Sequence, residues 1–363
     1  ASRRRSRRQS DVPATVSIAY ARLQRLWYLH NDPLGFVLIP FAWIYAIVMR
    51  LRRLLYRLGV LRSHRINALV IVVGNIAVGG TGKTPLVIAL AGYLTQLGWR
   101  PGIVCRGYGG KALHWPQQVR ADSDPRMVGD EAVLMARRTQ CPVAASGRFR
   151  VKTARELIKY HDCDVIISDD GLQHLALQRD VEIALVDGAR RHGNGRCLPA
   201  GPLREPLSRL STVDMVVTTN ARTDAVQGAE LSMQLIAGPV VNVLNGERRA
   251  ALHEFISTPV HAVAGIGNPA RFFRMLEQAG LRPIPHAFSD HHDFAPADLD
   301  FNDELAVLMT EKDAVKCSRF ARQQHWYVPV TAQLSDAFFD SLQRSLPPVP
   351  DGRARRVADE VAA

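Results

Sequence analysis

No two cysteines in this chain are spaced as C-x-x-C. The five present, Cys105, Cys141, Cys163, Cys197 and Cys317, are scattered and odd in number. That excludes a disulfide framework and a structural zinc site, and leaves buried thiols in a reducing compartment. Internal repeats are absent, as is the bias of a disordered or fibrous chain. Of the 363 residues, 47% are hydrophobic and 22% charged, ordinary for a folded protein with room for two domains. Acids are nearly missing from the first 65 residues, where 13 arginines face only Asp11 and Asp32. The remaining residues are close to neutral, with 33 basic and 32 acidic side chains. The overall charge of +12 therefore belongs to the N-terminal segment, which suits an anionic membrane surface or nucleic acid.

A full-length membrane span is missing too. Leu34 to Met49 reads LGFVLIPFAWIYAIVM, 16 residues without a charge, whereas a span takes ~20 and at the least ~17. Trp27 and Tyr28 precede the run, and Arg50, Arg52, Arg53, Arg57, Arg62 and Arg65 follow it, as interface anchors do. A helix in contact with a membrane is expected, either spanning or lying in one leaflet. The run begins too late for a cleavable signal peptide, and no small-residue cleavage site follows it. The apolar run and the near-neutral body speak against a nucleic-acid partner.

From Ala68 onward, apolar runs of strand length alternate with helix-like stretches. The runs are Ala68 to Asn75, Gly102 to Cys105, Val143 to Ser146, Val165 to Asp169, Ile183 to Asp187 and Met215 to Thr219. Short β-branched runs separated by helices imply βαβ units and a mostly parallel sheet. A second block starts near Gly238, with strands expected at Val240 to Asn245, His261 to Gly267, Leu305 to Thr310 and Trp326 to Val330. Asn268 and Pro269 mark the start of a helix within it. The expected division is a basic N-terminal segment (1–65), an α/β domain (66–237), linker strands with a smaller α/β domain (238–347) and a proline-rich, then charged, tail (348–363).

VVGNIAVGGTGKTP, Val72 to Pro85, follows a strand and opens a helix, the context of a P-loop. Val78, Gly79, Gly80, Thr81 and Gly82 can turn backbone N–H groups toward phosphate oxygens, aided by the helix N-terminus. Lys83 can reach the terminal phosphates of ATP, and Thr84 can place its hydroxyl on Mg²⁺. Ala77 stands where the general pattern has its first glycine. VIISDDGLQH, Val165 to His174, is an apolar strand ending in Asp169 and Asp170, the carboxylates that a P-loop site uses for Mg²⁺.

Together with this loop, RGYGG (Arg106 to Gly110), GDEA (Gly129 to Ala132), SDDGLQH and LPAGPLREP (Leu198 to Pro206) resemble the tetraacyldisaccharide 4'-kinase family, the lipid A 4'-kinases of the Gram-negative inner membrane. AGIGNPARFF (Ala264 to Phe273), FSDHHDF (Phe288 to Phe294) and MTEKDAVK (Met309 to Lys316) extend the resemblance over roughly Leu29 to Val330. The family also lacks the first loop glycine. The resemblance implies a P-loop NTPase-type α/β domain joined by a two-stranded linker to a smaller α/β domain, with nucleotide in the cleft and an N-terminal membrane-anchoring helix. It implies transfer of the ATP γ-phosphate to the 4'-hydroxyl of a tetraacylated glucosamine disaccharide 1-phosphate, giving lipid IVA, at the cytoplasmic face of the inner membrane. The partners implied are the membrane-embedded precursor and inner-membrane lipid, with no obligate protein partner.

Carried over by motif, Asp130 is the general base and His291 its partner, with the adjacent His292 left open as the alternative. Glu205 is an acid near Mg²⁺, and Arg106 and Arg204 are candidates for phosphate groups of substrate or ATP. Lys312 and Asp313 lie in a family motif without a role that their sequence explains. GGTGKT also suits a membrane-associated regulatory ATPase or GTPase, which would leave GDEA and DHHDF unexplained.

Overall fold

The computed structural model describes residues 26–28, 33–220 and 230–349. The arginines up to Arg25 and residues 350–363 of the expected tail lie outside the described residues.

The β-branched runs form strands β1 (Leu69–Gly74), β2 (Pro101–Cys105), β3 (Gln117–Val119), β4 (Val143–Ala145), β5 (Val165–Asp169), β6 (Val181–Asp187), β7 (Met215–Thr219) and β8 (Leu231–Ala237). The second block supplies β9 (Val240–Asn242), β10 (Arg249–Ala250), β11 (Val260–Ala264), β12 (Pro283–Ala287), β13 (Val307–Thr310), β14 (His325–Val328) and β15 (Val330–Leu334). A nine-stranded sheet runs in the order β15-β8-β7-β6-β1-β5-β2-β4-β3. It is parallel from β8 to β4, with β15 and β3 antiparallel at its edges. Successive side chains of a strand point to opposite faces. Ile71 and Val73 of β1 therefore pack with Leu86, Leu90 and Leu94 of the helix Lys83–Gln96. Val70 and Val72 pack on the other face with Ala154 and Leu157 of the helix Arg150–His161.

The parallel register puts the ends of β1 and β5 at one edge of the sheet, with Val73 beside Asp169. Loops leaving the carboxyl ends of parallel strands share a crevice there.

The second sheet runs β10-β9-β14-β13-β11-β12. The chain enters it through Gly238 and Pro239 and leaves through Pro329, and the N–H of Gly238 donates to the Pro329 carbonyl at 2.9 Å. The segment expected as one strand, Trp326 to Val330, is two: β14 ends at Val328 and β15 pairs with β8 of the first sheet. Proline cannot donate to a ladder, so the break falls at Pro329. Residues 330–347, expected in the smaller unit, thus return to the larger one. Phe338 and Leu342 of the helix Asp336–Ser345 are buried in its core.

The N-terminal apolar run folds as a short helix, Pro33–Val37, and a longer one, Ile39–Arg57. Among the described residues no helix is long and apolar enough to cross a membrane. The longer helix is tied to the body: the Tyr45 hydroxyl donates to the Arg204 carbonyl at 3.1 Å, Arg52 to the Gln173 carbonyl at 3.0 Å, and Arg53 to the Thr212 hydroxyl at 3.1 Å. The other side leaves Phe41, Ile44, Ile47, Val48, Leu51, Leu54 and Leu58 exposed. Trp27, expected as an interface anchor, is instead buried, and its indole N–H donates to the Pro199 carbonyl at 3.0 Å.

Candidate active site

Two loops meet at the carboxyl edge of the first sheet. Gly79 and Gly82 have φ of 111° and 91°, the left-handed region that glycine adopts without strain. Gly82 is the N-cap of the helix Lys83–Gln96. Ala77 needs no such freedom, because it forms an antiparallel bridge with Leu203. The N–H of Val78 donates to Pro202 and that of Arg204 to Ile76, so the LPAGPLREP segment is sewn to the phosphate loop. Lys83 Nζ lies 3.2 Å from Asn75 Oδ1 and 3.3 Å from Asp170 Oδ1. Gly80 faces the second domain: a Cβ on Gly267 would lie 3.3 Å from its nitrogen.

The acids expected to attend a metal sit in different settings. Asp170 is engaged by Lys83 and by Arg204, whose Nη1 is 3.1 Å from both carboxylate oxygens. Burial pushes its carboxyl up, but Lys83, Arg204 and Arg150 outweigh that and hold it well below the usual range. Glu205 is buried, accepting from Gln173 Nε2 at 2.7 Å, with Arg209 Nε at 3.4 Å from its second oxygen. Asp169 alone keeps an unsatisfied oxygen: buried Oδ1 has no hydrogen-bond partner among the described residues. Burial, reinforced by Glu131, pushes this carboxyl up to about 7, against Lys83. A buried carboxylate oxygen lacking a donor, beside the phosphate loop, fits a divalent cation such as Mg²⁺. Arg150, buried beneath these acids, donates to Ser168 Oγ at 2.6 Å and to the carbonyls of Asp169 and Asp170 at 2.5 and 3.1 Å.

On the far side of the crevice, the helix Asp130–Arg138 packs against Glu311–Cys317 from the second domain. His291 Nδ1 is 3.0 and 3.1 Å from the two oxygens of Asp130. His292 is elsewhere, its Nε2 3.0 Å from Asp298. Burial pushes the Asp130 carboxyl up, but the His291 hydrogen bond and the charges of Lys312 and Lys316 hold it well below the usual range. Lys312 Nζ sits 3.1 Å from Glu131, 3.3 Å from Asp290 and 3.3 Å from His291 Nε2. Burial lowers its pKa, but Glu131, Asp130 and Asp290 outweigh that and hold the ammonium above its usual range. An ammonium only donates. Lys312 therefore makes Nε2 of His291 an acceptor, which leaves the ring proton on Nδ1, directed at Asp130.

The structure thus brings Asp130 and His291 together, and gathers Lys83, Asp169, Asp170 and Arg204 around the phosphate loop. Arg106 stands apart from both sets: it is exposed, with its guanidinium 5.9 Å from the Tyr108 ring, which in turn packs on His291 at 4.7 Å. Lys316, 3.5 Å from Asp130, Asn75 and Gln173 were not singled out from sequence. The four-residue spacing of Lys312 and Lys316 on one short helix was the available signal, since it places both on one face.

The family described as Tetraacyldisaccharide-1-P 4'-kinase matches residues 34–347. Proteins named tetraacyldisaccharide 4'-kinase from Nitrosococcus oceani and Methylobacillus flagellatus are each 51% identical to this chain, over 314 and 321 residues. These alignments cover 86% and 88% of this chain and 91% and 94% of those proteins. The crystal structure of "apo" form LpxK from Aquifex aeolicus in complex with ATP superposes with a TM-score of 0.72 at 27% identity, over 86% of this chain and all of that one.

Proposed function

The chain belongs to the tetraacyldisaccharide 4'-kinase family, and from that premise we propose how its residues divide the work of moving a phosphoryl group from ATP to a lipid. The reaction is ATP-dependent phosphorylation of the 4'-hydroxyl of a tetraacylated glucosamine disaccharide 1-phosphate, a step of lipid A biosynthesis that gives lipid IVA. Phosphoryl transfer needs positioning and charge stabilisation more than covalent chemistry. The phosphate loop holds the ATP phosphates, and Lys83 meets the charge of the terminal one. Asp169 and Thr84 would hold Mg²⁺, which when bound neutralises charge on the β- and γ-phosphates. Arg204 and Lys83 share Asp170 as a partner, so Arg204 fixes that acid and would add a second cation for the phosphates.

Asp130 takes the proton of the 4'-hydroxyl. Its ionised state is secured by the charges around it, so it acts as an oriented acceptor as the 4'-oxygen bonds to the γ-phosphorus and the bond from that phosphorus to ADP breaks. His291 donates its Nδ1–H to that carboxylate and fixes its direction, and Lys312 fixes the imidazole. Reaction at the crevice therefore needs both domains together.

The acceptor is a lipid, and the exposed apolar face of the helix Ile39–Arg57 is the surface that would meet it, at the cytoplasmic face of the inner membrane. A helix lying in the interface buries such a face while its body stays outside. The single observation that carries the assignment is the Asp130–His291 contact, 3.0 Å across two domains, facing a phosphate loop across the crevice. The test is γ-labelled ATP with tetraacyldisaccharide 1-phosphate in detergent. Label is expected in the lipid; label released only as inorganic phosphate would make the protein a hydrolase instead.

A further inference from the structure

The helix Arg150–His161 turns two sides to different surroundings. Thr153, Ala154 and Leu157 are buried, while Lys152, Arg155 and Lys159 are exposed. With Arg148 just before the helix, these cations recur at spacings of four, three and four residues, so they share one stripe. They line a groove of about 550 Å³ with Phe149, Tyr160, His64 and His174. Glu156 is the one acid in that lining, 3.8 Å from Lys152. Among the described residues Arg148, Arg155 and Lys159 have no carboxylate partner; Arg148 and Lys159 instead stand over the rings of Phe149 and Tyr160, at 5.0 and 4.9 Å. None of these exposed cations has a role in the phosphoryl transfer set out above.

The stripe lies on the same face of the large sheet as the helix Ile39–Arg57. Tyr45 and Ala46 of that helix pack against the same buried cluster as Val151 and Ile158. His64, which follows closely on Leu58 at the end of the exposed apolar face, forms part of the groove wall and donates its N–H to the Ala176 carbonyl. An apolar face and a cationic, aromatic groove thus stand side by side on one side of the molecule. Free cations interleaved with exposed rings match a bilayer interface, where aromatics sit at the headgroup level and basic side chains meet anionic lipid.

We propose that this groove binds the anionic headgroups of phospholipids in the bilayer, as a second, electrostatic contact beside the apolar helix face. The line of the helix Ile39–Arg57 and a groove to one side of it together define a plane, so the crevice would be held in one orientation over the lipid surface. The inference rests on the membrane-contact reading of the helix Ile39–Arg57. Each basic residue near an anionic surface strengthens binding about fivefold.

The test is sedimentation of the full chain with vesicles of phosphatidylcholine alone or with added phosphatidylglycerol. Wild type is expected to bind both, and more tightly as the anionic fraction rises or the salt falls. The triple variant Lys152→Gln, Arg155→Gln, Lys159→Gln should lose on the order of 100-fold in affinity for the anionic vesicles and keep its binding to the neutral ones. A triple variant that binds anionic vesicles as wild type does would overturn the proposal. Wild type that sediments with neither vesicle would overturn the membrane reading of the apolar helix as well; Ile44→Ser with Ile47→Ser, which should weaken binding to both vesicles, checks that reading separately. In neutral detergent micelles the triple variant should keep the acceptor KM within about twofold. A tenfold rise there would make the groove a site for the acceptor's own phosphate and sink the lipid-surface assignment.

Discussion

The loop Gly79–Thr84 and the pair Asp130–His291, the two halves of the proposed site, are built differently. The loop is a single stretch of chain between β1 and a helix, held by the segment around Pro202 and Arg204 of the same domain. The pair joins residues 161 apart, one from each domain, and the ion pairs of Lys312 and Lys316 surround it. The loop is thus held by the larger domain, with Gly267 of the second domain close to Gly80, whereas the pair exists only while the two domains are docked. Phosphate binding and proton transfer should accordingly fail separately.

The largest effect is expected at Asp130. Asparagine keeps the shape of the side chain but cannot take the hydroxyl proton, so Asp130→Asn should lower kcat by ~10² to 10⁴. ATP affinity, measured by equilibrium binding, should stay near wild type; if ATP binding collapses while bound enzyme turns over normally, Asp130 belongs to the nucleotide half. Lys83→Ala attacks that half directly and should cost ~10² to 10³ in kcat, as loss of a charge-stabilising donor does. Circular dichroism should report an unchanged fold, since Asp170 keeps Arg204 as a partner. Near-normal turnover would remove the loop from the mechanism.

Lys312→Gln should act more weakly, on the order of tenfold in kcat, because it loosens the imidazole without touching substrate. Its signature is rescue: Lys312→Arg still carries a donor toward Nε2 and should recover most of the lost kcat, whereas an arginine variant no faster than the glutamine one would show that a donated hydrogen bond does not fix the imidazole.

The smallest effect is one of stability. Asp169 has its carboxyl pushed up to about 7 by burial and Glu131, from an ordinary value of ~4. A carboxyl raised in the fold favours its protonated form. That contribution is whole below pH ~4 and is lost as pH rises through about 7. The Tm of metal-free protein should fall between pH 5 and 8, and Asp169→Asn should flatten the fall. A wild-type curve that is flat over this window would contradict the placement of an uncompensated oxygen there.

The same difference in construction explains what was legible in the sequence. The phosphate loop could be read because strand, glycines, lysine and helix are contiguous, and the β-branched runs announced the parallel sheet. Asp130 and His291 could be named only through their family motifs, since nothing local ties GDEA to DHHDF. Lys312 had no derivable role until the fold of the second domain set it beside His291 and the docking of two short helices brought Glu131 and Asp130 to both. That Val330–Leu334 pairs with β8 of the first sheet was not legible, because so short a strand carries no mark of which sheet it will join; Pro329 is the sign of the break. Hydropathy identified the apolar helix, but the side that packs on the body depends on where Tyr45, Arg52 and Arg53 find carbonyls and a hydroxyl.

The central claim is that Asp130 and His291 act as one unit assembled across the two domains. A double-mutant cycle of kcat with Asp130→Asn, His291→Ala and the combined variant tests it most directly. Residues that act as a unit are strongly non-additive. With the carboxylate gone, removing the imidazole that orients it should cost little more, so the double variant is expected to match Asp130→Asn within about threefold. Losses that instead add fully as free energies would mean that the two side chains work independently, and would contradict the account.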